Sequence, residues 1–342
     1  MPNPFFYGGR VEPALFVGRQ LELRAIFGCL EIAHTGQLQS VSVVGPHRMG
    51  RSSLLYYVAA QHERFLQTAS SYRVAYISLH DAECHSPGGL LQKILRELHI
   101  STGGGKVSPA EFQHAIQTIR SKGLHPVVCL DEFEELIQTG AFDNAFFDSW
   151  RFLMSDSHIA FVIASTRPLS ELVAPDKYTS SFFNIFTIVE LGVFSAPEAE
   201  LLVQRGQVCD QPFTDEDCRQ MRMLGQGHPY KLQVAGEKIY SAKDQSAGMN
   251  WPQVKRAFAR QMRQAGLLAK PSNWLLACFQ TLLAFMRSVG RAILAVRRAK
   301  DEISDDMALW WGLGMLTVAI LFALGIFQFA WLTKLISHWL GK

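Results

Sequence analysis

Residues 45–53 read Gly45-Pro46-His47-Arg48-Met49-Gly50-Arg51-Ser52-Ser53; they follow a short apolar run, Ser40 to Val44, and precede a segment with helical pattern. The two glycines have the GxxxxG spacing of a turn whose backbone N–H groups face phosphate oxygens at the start of a helix. Ser52 occupies the position of the hydroxyl that binds Mg²⁺, and Arg51 occupies the cation position where lysine is standard. Because the glycine spacing alone is a weak signal, the interpretation depends on what the rest of the chain supplies.

Short β-rich runs alternate with longer helical patterns between residues 40 and 191. Strands separated by helix-length segments are typical of an α/β fold with a parallel sheet sandwiched by helices. Ligands of such sheets bind at the carboxyl ends of the strands. The expected strands are Ser40 to Val44, Tyr72 to Leu79, Val127 to Leu130, Ile159 to Ala164 and Ile185 to Leu191.

Two acidic residues, Asp131 and Glu132, directly follow the third expected strand. In phosphate-loop enzymes the first carboxylate of such a pair holds Mg²⁺ through water, and the second can polarise the attacking water. An acidic pair at a helix N-terminus is the alternative interpretation. The fourth strand ends in Ser165-Thr166-Arg167, where polar groups are expected to meet a γ-phosphate. Three strand ends with complementary chemistry therefore predict a site for ATP and Mg²⁺, with Ser52 and Asp131 as the metal ligands.

Further motifs surround these segments in a fixed order along the chain. They are Asn3-Pro4-Phe5, the box Leu15-Phe16-Val17-Gly18-Arg19-Gln20-Leu21-Glu22, Ser165-Thr166-Arg167-Pro168-Leu169 and Gly227-His228-Pro229-Tyr230. With the phosphate loop and Leu130-Asp131-Glu132, this set resembles the STAND-type and origin-recognition-like branch of AAA+ ATPases over roughly residues 3 to 265. The resemblance implies an ASCE-type P-loop NTPase fold followed by a small helical lid, with ATP between them.

The resemblance also implies roles for individual residues. Gly18 and Arg19 would lie near the adenine, Pro229 would close on the base from the lid, and Ser165 or Thr166 would act as the sensor beside the γ-phosphate. A turn with a surface arginine is the alternative for Gly18-Arg19. A loop before a helix is the alternative for His228-Pro229. The implied catalytic residues are Glu132, Arg51 and Thr166. The implied nucleotide-binding residues are Gly18, Arg19, Gly45, Pro46, His47, Arg48, Met49, Gly50, Arg51, Ser52, Ser53, Ser165, Arg167 and Pro229.

The chain departs from the family pattern at two places. The guanidinium of Arg51 is planar and binds phosphate bidentately, whereas a lysine ammonium makes a point contact. ATP binding is therefore a firmer expectation than hydrolysis. Where relatives continue into a winged helix and a sensor region, Trp251 to Gln264 leads here into a basic stretch. DNA binding and repeat-based sensing are therefore not expected from the resemblance.

An apolar stretch near the C-terminus predicts a single transmembrane helix. Met307 to Leu332 contains 26 residues, of which 21 are hydrophobic and none is charged. This length exceeds the roughly 30 Å hydrocarbon core of a bilayer, and tryptophans lie near both ends. Basic residues are more numerous before the span than after it, so the sequence predicts a cell-membrane protein whose N-terminal body is cytoplasmic.

The stretch before the span is strongly basic, since residues 251–300 contain ten lysines or arginines and no acidic residue. Arg287, Arg291 and Arg298 fall on one stripe of an apolar helix, which predicts a basic amphipathic helix along an anionic leaflet. The alternatives are a helix packed on its own domain and a nucleic-acid contact. Lipid is the favoured anion because the stripe adjoins the span.

Composition excludes several other classes of protein. With 48% hydrophobic and 18% charged residues the chain is not mostly disordered, and its six cysteines form no CxxC pair. Protease and hydrolase motifs of the HExxH and G-x-S-x-G types are absent from the sequence. The expected domains are a P-loop domain at 1–192, a helical lid at 193–268, the basic amphipathic helix at 269–300 and the anchor at 305–340.

Three functional hypotheses follow from these features. The first is a membrane-tethered ATP switch that self-associates on binding ATP and hydrolyses it slowly, if at all. The resemblance places such a switch in bacterial signalling or defence, while the sequence identifies no protein partner. The second is a catalytically degenerate nucleotide-binding scaffold on the membrane, and the third is a nucleic-acid-binding module that uses the basic stretch.

Overall fold

The computed structural model describes residues 3–35, 37–101, 106–174, 177–244 and 249–268, which lie in one compact unit. Its strands are β1 (Val41–Val44), β2 (Tyr72–Ser78), β3 (His125–Asp131), β4 (Ala160–Ser165) and β5 (Thr187–Glu190). They form a five-stranded sheet in the order β2-β3-β4-β1-β5, in which every pair is parallel. The predicted parallel α/β sheet is therefore confirmed, and strand ends differ from the sequence expectation by at most two residues.

Helices cover both faces of this sheet because the strands are apolar on both faces. Val127 and Cys129 of β3 are buried in a core with the helices that precede and follow β1, whereas Val128 and Leu130 are buried in a second core with the helices around β3. This alternation is the two-residue period of a strand. The helices are α1 (Gln20–Glu31), α2 (Arg51–Gln61), α3 (Pro87–Glu97), α4 (Pro109–Ser121), α5 (Glu134–Thr139), α6 (Asn144–Ser155) and α7 (Leu169–Leu172).

A third hydrophobic core lies among the helices that follow the sheet. These helices are α8 (Ala196–Val203), α9 (Asp215–Gly225), α10 (Pro229–Asp244) and α11 (Trp251–Gln264). The core contains residues from Phe194 to Met262 together with Phe5 from the N-terminal segment. The chain start therefore packs with these helices, and the domain boundary expected at residue 192 stays a prediction.

The membrane-related segments of the sequence are not part of the described structure. No helix within the described ranges has the length and apolar character needed to cross a bilayer. The expected amphipathic helix at 269–300 and the expected span at Met307 to Leu332 lie outside those ranges.

Candidate nucleotide-binding site

The phosphate loop connects β1 to α2 with the geometry that its glycines predict. Gly50 is the N-cap of α2 with φ 89°, a left-handed conformation that glycine adopts without strain. Gly45 approaches the end of β5 so closely that a Cβ there would lie 2.9 Å from the Cβ of Leu191. No side chain caps the N-terminus of α2, whereas Ser108 and Glu111 form a capping box on α4. The first N–H groups of α2 are therefore available to phosphate oxygens.

A cavity of about 940 Å³ lies between the phosphate loop and the helices that follow the sheet. Its volume suits a nucleotide-sized ligand. Apolar and aromatic side chains of the N-terminal segment (residues 5–11) and of the helices after the sheet (α8 to α11, the later helices) also line it. The predicted site residues that line the cavity are Arg19, Pro46, His47, Arg48, Met49, Gly50, Arg51, Ser52, Ser53, Glu132 and Pro229.

Arg51, the residue in the lysine position, is turned inward and paired with an acid. It is 9% exposed, and its Nη1 lies 3.4 Å from Oε1 of Glu134 in the first turn of α5. The same Oε1 accepts a hydrogen bond from the backbone N–H of Thr166. Burial on its own raises the pKa of Glu134, but hydrogen bonds from Thr166 and the charge of Arg51 bring that pKa below its ordinary value. Glu134 therefore links the phosphate loop to the end of β4.

Asp131 ends β3 as a buried carboxylate, 3% exposed. Its Oδ2 accepts a hydrogen bond of 2.8 Å from the hydroxyl of Tyr76 on β2. Within the described part of the chain it pairs with no lysine or arginine, so its negative charge lacks a protein counter-ion. A carboxylate and the Ser52 hydroxyl are oxygen donors of the kind that Mg²⁺ prefers, so these residues fit the metal that the phosphate loop implies.

Glu132 is held by a histidine that follows β2. Its Oε2 lies 3.0 Å from Nε2 of His80, while Nδ1 of the same ring lies 3.4 Å from Oε1 of Glu135. Glu132 has φ 63°, a left-handed conformation that is costly for a residue with a side chain. Burial, and next the charge of Asp131, raise the pKa of Glu132, and His80 counters part of this rise. A raised pKa and a position in the cavity wall suit a general base.

Arg19 ties the box at Leu15–Glu22 to three other parts of the chain. Its guanidinium donates hydrogen bonds to the backbone oxygens of Met49 (2.9 Å) and Gly192 (2.8 Å) and pairs with Glu22 at 2.8 Å. Its backbone N–H donates to Glu198 in α8. Arg19 is 3% exposed, so the alternative of a surface arginine does not fit the structure. Gly18 lies beside Glu198 and not in the cavity wall.

The expected sensor residues at the end of β4 differ in their surroundings. Ser165 is fully buried, and its hydroxyl donates to the backbone oxygen of Arg167 at 2.7 Å. Thr166 contacts Glu134 as described, whereas the Arg167 side chain is exposed. Gly45, Asp131, Ser165, Thr166 and Arg167 do not line the cavity, and their roles toward nucleotide stay predictions.

Sequence reasoning missed four residues that touch the predicted ones. Glu134 pairs with Arg51, Tyr76 binds Asp131, and His80 binds Glu132. Glu198 accepts from Arg19 and also forms a capping box with Ser195. The capping box was readable as Ser-x-x-Glu, but nothing in the sequence indicates the other three partnerships.

Two family models match overlapping parts of the chain. The model described as Novel STAND NTPase 2 matches residues 112–268, and the model described as AAA domain matches residues 35–173. No curated protein matches the chain.

Several solved structures share the fold at low sequence identity. The ORC2 protein of Aeropyrum pernix, in ADPNP and ADP complexes, has a TM-score of 0.57 at 13% identity, with 78% of this chain and 74% of that chain covered. A Walker-type ATPase of Pyrococcus abyssi has a TM-score of 0.53 at 17% identity, covering 84% and 81%. The Aeropyrum pernix ORC1 protein in complex with DNA has a TM-score of 0.51 at 17% identity, covering 72% and 66%.

The sheet, the loop between β1 and α2, and the two model matches support a P-loop NTPase. Within that class the two family models that match are of the STAND and AAA types, and the origin-recognition structures share the fold.

Proposed function

We propose that this protein is an ATP-dependent conformational switch tethered to a membrane. The observation that carries the proposal is the cavity that the phosphate loop, Glu132 and Pro229 line together. ATP in this cavity would touch the sheet and the later helices at once, so the bound state would favour one arrangement of the two. Such differential contact is what a ligand-driven switch requires.

Groups of the cavity wall, together with Asp131 outside that wall, would contact the triphosphate and its metal. The N-terminus of α2 and Arg51 would bind the β- and γ-phosphates, while Ser52 and Asp131 would hold Mg²⁺. When bound, Mg²⁺ supplies positive charge to the phosphate oxygens. Glu132 would take a proton from the attacking water as the bond between the γ-phosphorus and ADP breaks. Because His80 holds Glu132 and arginine replaces lysine, we expect slow turnover.

The membrane part of the proposal depends on the sequence of residues 269–342. A 26-residue uncharged stretch preceded by an arginine stripe supports an anchor with the body on the cytoplasmic side. ATP-driven self-association of the bodies would then occur in the plane of the membrane, in a signalling or defence role. We expect the full-length chain to stay in the membrane on carbonate extraction at high pH, which releases proteins held only by charge. Release would contradict the anchor.

A non-catalytic scaffold is the second candidate, and the pair of Arg51 with Glu134 favours it. A cation already neutralised by a carboxylate at 3.4 Å binds phosphate less readily. In that case the fold would be retained as a membrane scaffold without an ATP cycle. A nucleic-acid module is the third, and it predicts steeply salt-dependent binding of a DNA duplex.

ATP binding and turnover by the full-length chain separate the first two candidates. The switch predicts that wild type binds ATP, that Arg51→Ala binds at least tenfold more weakly, and that Glu132→Gln binds ATP but loses turnover. Equal and weak ATP binding by wild type and Arg51→Ala would contradict the switch. Tight binding without turnover, unchanged in Glu132→Gln, would favour the scaffold.

A further inference from the structure

The N-terminal segment, residues 5–11, runs across the cavity from the later helices to α2. At one end Phe5 stacks on Phe213 with ring centroids 5.5 Å apart, and the Phe6 N–H donates to Oε1 of Gln233 at 3.0 Å. At the other end the Val11 N–H donates to Oγ of Ser53, in the first turn of α2, at 3.0 Å. Because these contacts join the segment to both parts, a shift of the later helices would move the segment relative to α2.

Arg10 lies near the α2 end of the segment and lines the cavity. Its guanidinium carbon is 4.1 Å from the ring centroid of Tyr56 on α2 and 4.9 Å from that of Tyr76 on β2. Burial alone lowers the pKa of Arg10, but its contact with Tyr76 raises that pKa above the ordinary value. The two rings meet edge to face, 5.4 Å apart, so Arg10 covers both of them.

Tyr76 connects Arg10 to the carboxylate that would hold the metal. Its hydroxyl donates to Oδ2 of Asp131 at 2.8 Å, and Tyr76 is paired in register with Cys129, two residues before that carboxylate. The hydrogen bond fixes one oxygen of Asp131. The orientation of the carboxylate therefore depends on where the Tyr76 ring is held.

Arg10 differs in its partners from Arg19 and Arg51, and it resembles Arg48, whose guanidinium carbon lies 4.3 Å from the ring centroid of Tyr230. Arg19 and Arg51 pair with carboxylates, at 2.8 Å and 3.4 Å. Arg10 contacts the faces of Tyr56 and Tyr76 and also hydrogen-bonds with Tyr76, and these neutral partners hold a cation without neutralising its charge. The position of Arg10 therefore affects how the rings of Tyr56 and Tyr76 are held.

We propose that Arg10 is a positioning residue for Asp131, acting through Tyr76, so that Mg²⁺ binding depends on the position of the N-terminal segment. The inference rests on the nucleotide function proposed above and gives it a regulatory element. When the later helices hold Phe5 and Phe6, Arg10 lies on Tyr76 and the carboxylate is oriented for the metal. When the segment is displaced, the orientation is lost and nucleotide binds without its metal.

The test measures the affinity of the full-length chain for a non-hydrolysable ATP analogue by titration calorimetry, once in saturating Mg²⁺ and once in EDTA. The ratio of the two dissociation constants reports the metal's contribution, which a merely structural role would not change. We expect Tyr76→Phe to reduce the ratio about tenfold, since it loses a hydrogen bond to a charged group. Arg10→Ala should reduce it about threefold, the size of an exposed cation–π contact.

Two further variants sharpen the test. Tyr56→Phe is the matched control, because it removes a hydroxyl from the other ring under Arg10 and should leave the ratio unchanged. The double variant of Arg10→Ala and Tyr76→Phe should equal Tyr76→Phe alone, since both changes act on one hydrogen bond.

Each outcome decides between the inference and the function on which it rests. A loss of equal size in Mg²⁺ and in EDTA for Arg10→Ala means a direct contact with nucleotide and overturns the inference. An unchanged ratio in Tyr76→Phe overturns it as well, while the nucleotide function stands. If wild type binds the analogue under neither condition, the nucleotide function fails and the inference fails with it.

Discussion

Replacing Glu134 with glutamine should strengthen ATP binding. Glu134 Oε1 lies 3.4 Å from Nη1 of Arg51, so the carboxylate competes with a phosphate for the same guanidinium. Glutamine keeps the side-chain volume and retains an oxygen that can accept the Thr166 N–H. The substitution therefore removes the charge with little change of shape.

The distance sets the size of the effect. Two unit charges 3.4 Å apart attract by about 5 kcal/mol at an effective dielectric of 20. Most of this is offset, because both groups are partly buried and lose hydration in forming the pair. With a net competition of about 1.4 kcal/mol, Glu134→Gln should bind ATP about tenfold more tightly than wild type.

The assay is an equilibrium titration of the full-length chain with ATP and Mg²⁺. Glu135→Gln is the matched control: it removes the neighbouring acid, which contacts exposed His80 and not Arg51. We expect its ATP affinity to stay within about twofold of wild type, as for other exposed pairs. Unchanged or weaker binding in Glu134→Gln would refute the competition between carboxylate and phosphate.

Two further predictions concern the helices that close the cavity. Burial, and next the charge of Lys231, lower the pKa of His228 to about 4, so between pH about 6.5 and 4 the unfolded chain takes up a proton that the folded chain resists. The free energy of unfolding should therefore fall over this window by up to about 3 kcal/mol. Urea unfolding of His228→Asn should not show this fall. A pH profile of the variant that is identical to that of wild type would contradict the assignment. Gly236→Ala should destabilise the folded chain, because a Cβ at Gly236 would lie 2.5 Å from the Phe5 ring. Gly28→Ala is the matched control: the space around Gly28 is open, so this change should stabilise the folded chain by roughly 0.5–1 kcal/mol. Equal melting temperatures for these two variants would contradict the packing of Phe5.

The sheet was predictable because each strand is a short apolar run between helix-length segments. Val127 to Leu130 illustrates this: its residues are buried on alternate faces, so the run is apolar throughout. Strand β3 is longer than its apolar run because its hydrogen bonding extends to His125 and Asp131, whereas β1, β2 and β5 are one to three residues shorter than the expected runs.

The positions of the loop, Asp131 and Glu132 were predictable from motif spacing, but their partners were not. The run Asp131 to Glu135 contains four acids, and spacing alone cannot indicate which one reaches Arg51. Tyr76 occupies a strand position where an aromatic residue is ordinary. Arg10 lies in a segment without periodicity, so only the folded path of the chain brings it to Tyr76.

A structure of this chain with a non-hydrolysable ATP analogue and Mg²⁺ would show whether the phosphate loop binds the triphosphate. We expect the triphosphate at the N-terminus of α2, the Arg51 guanidinium moved from Glu134 onto the phosphates, and Ser52 and Asp131 around one metal ion. An Arg51 that stays on Glu134 while the nucleotide binds elsewhere would contradict this expectation.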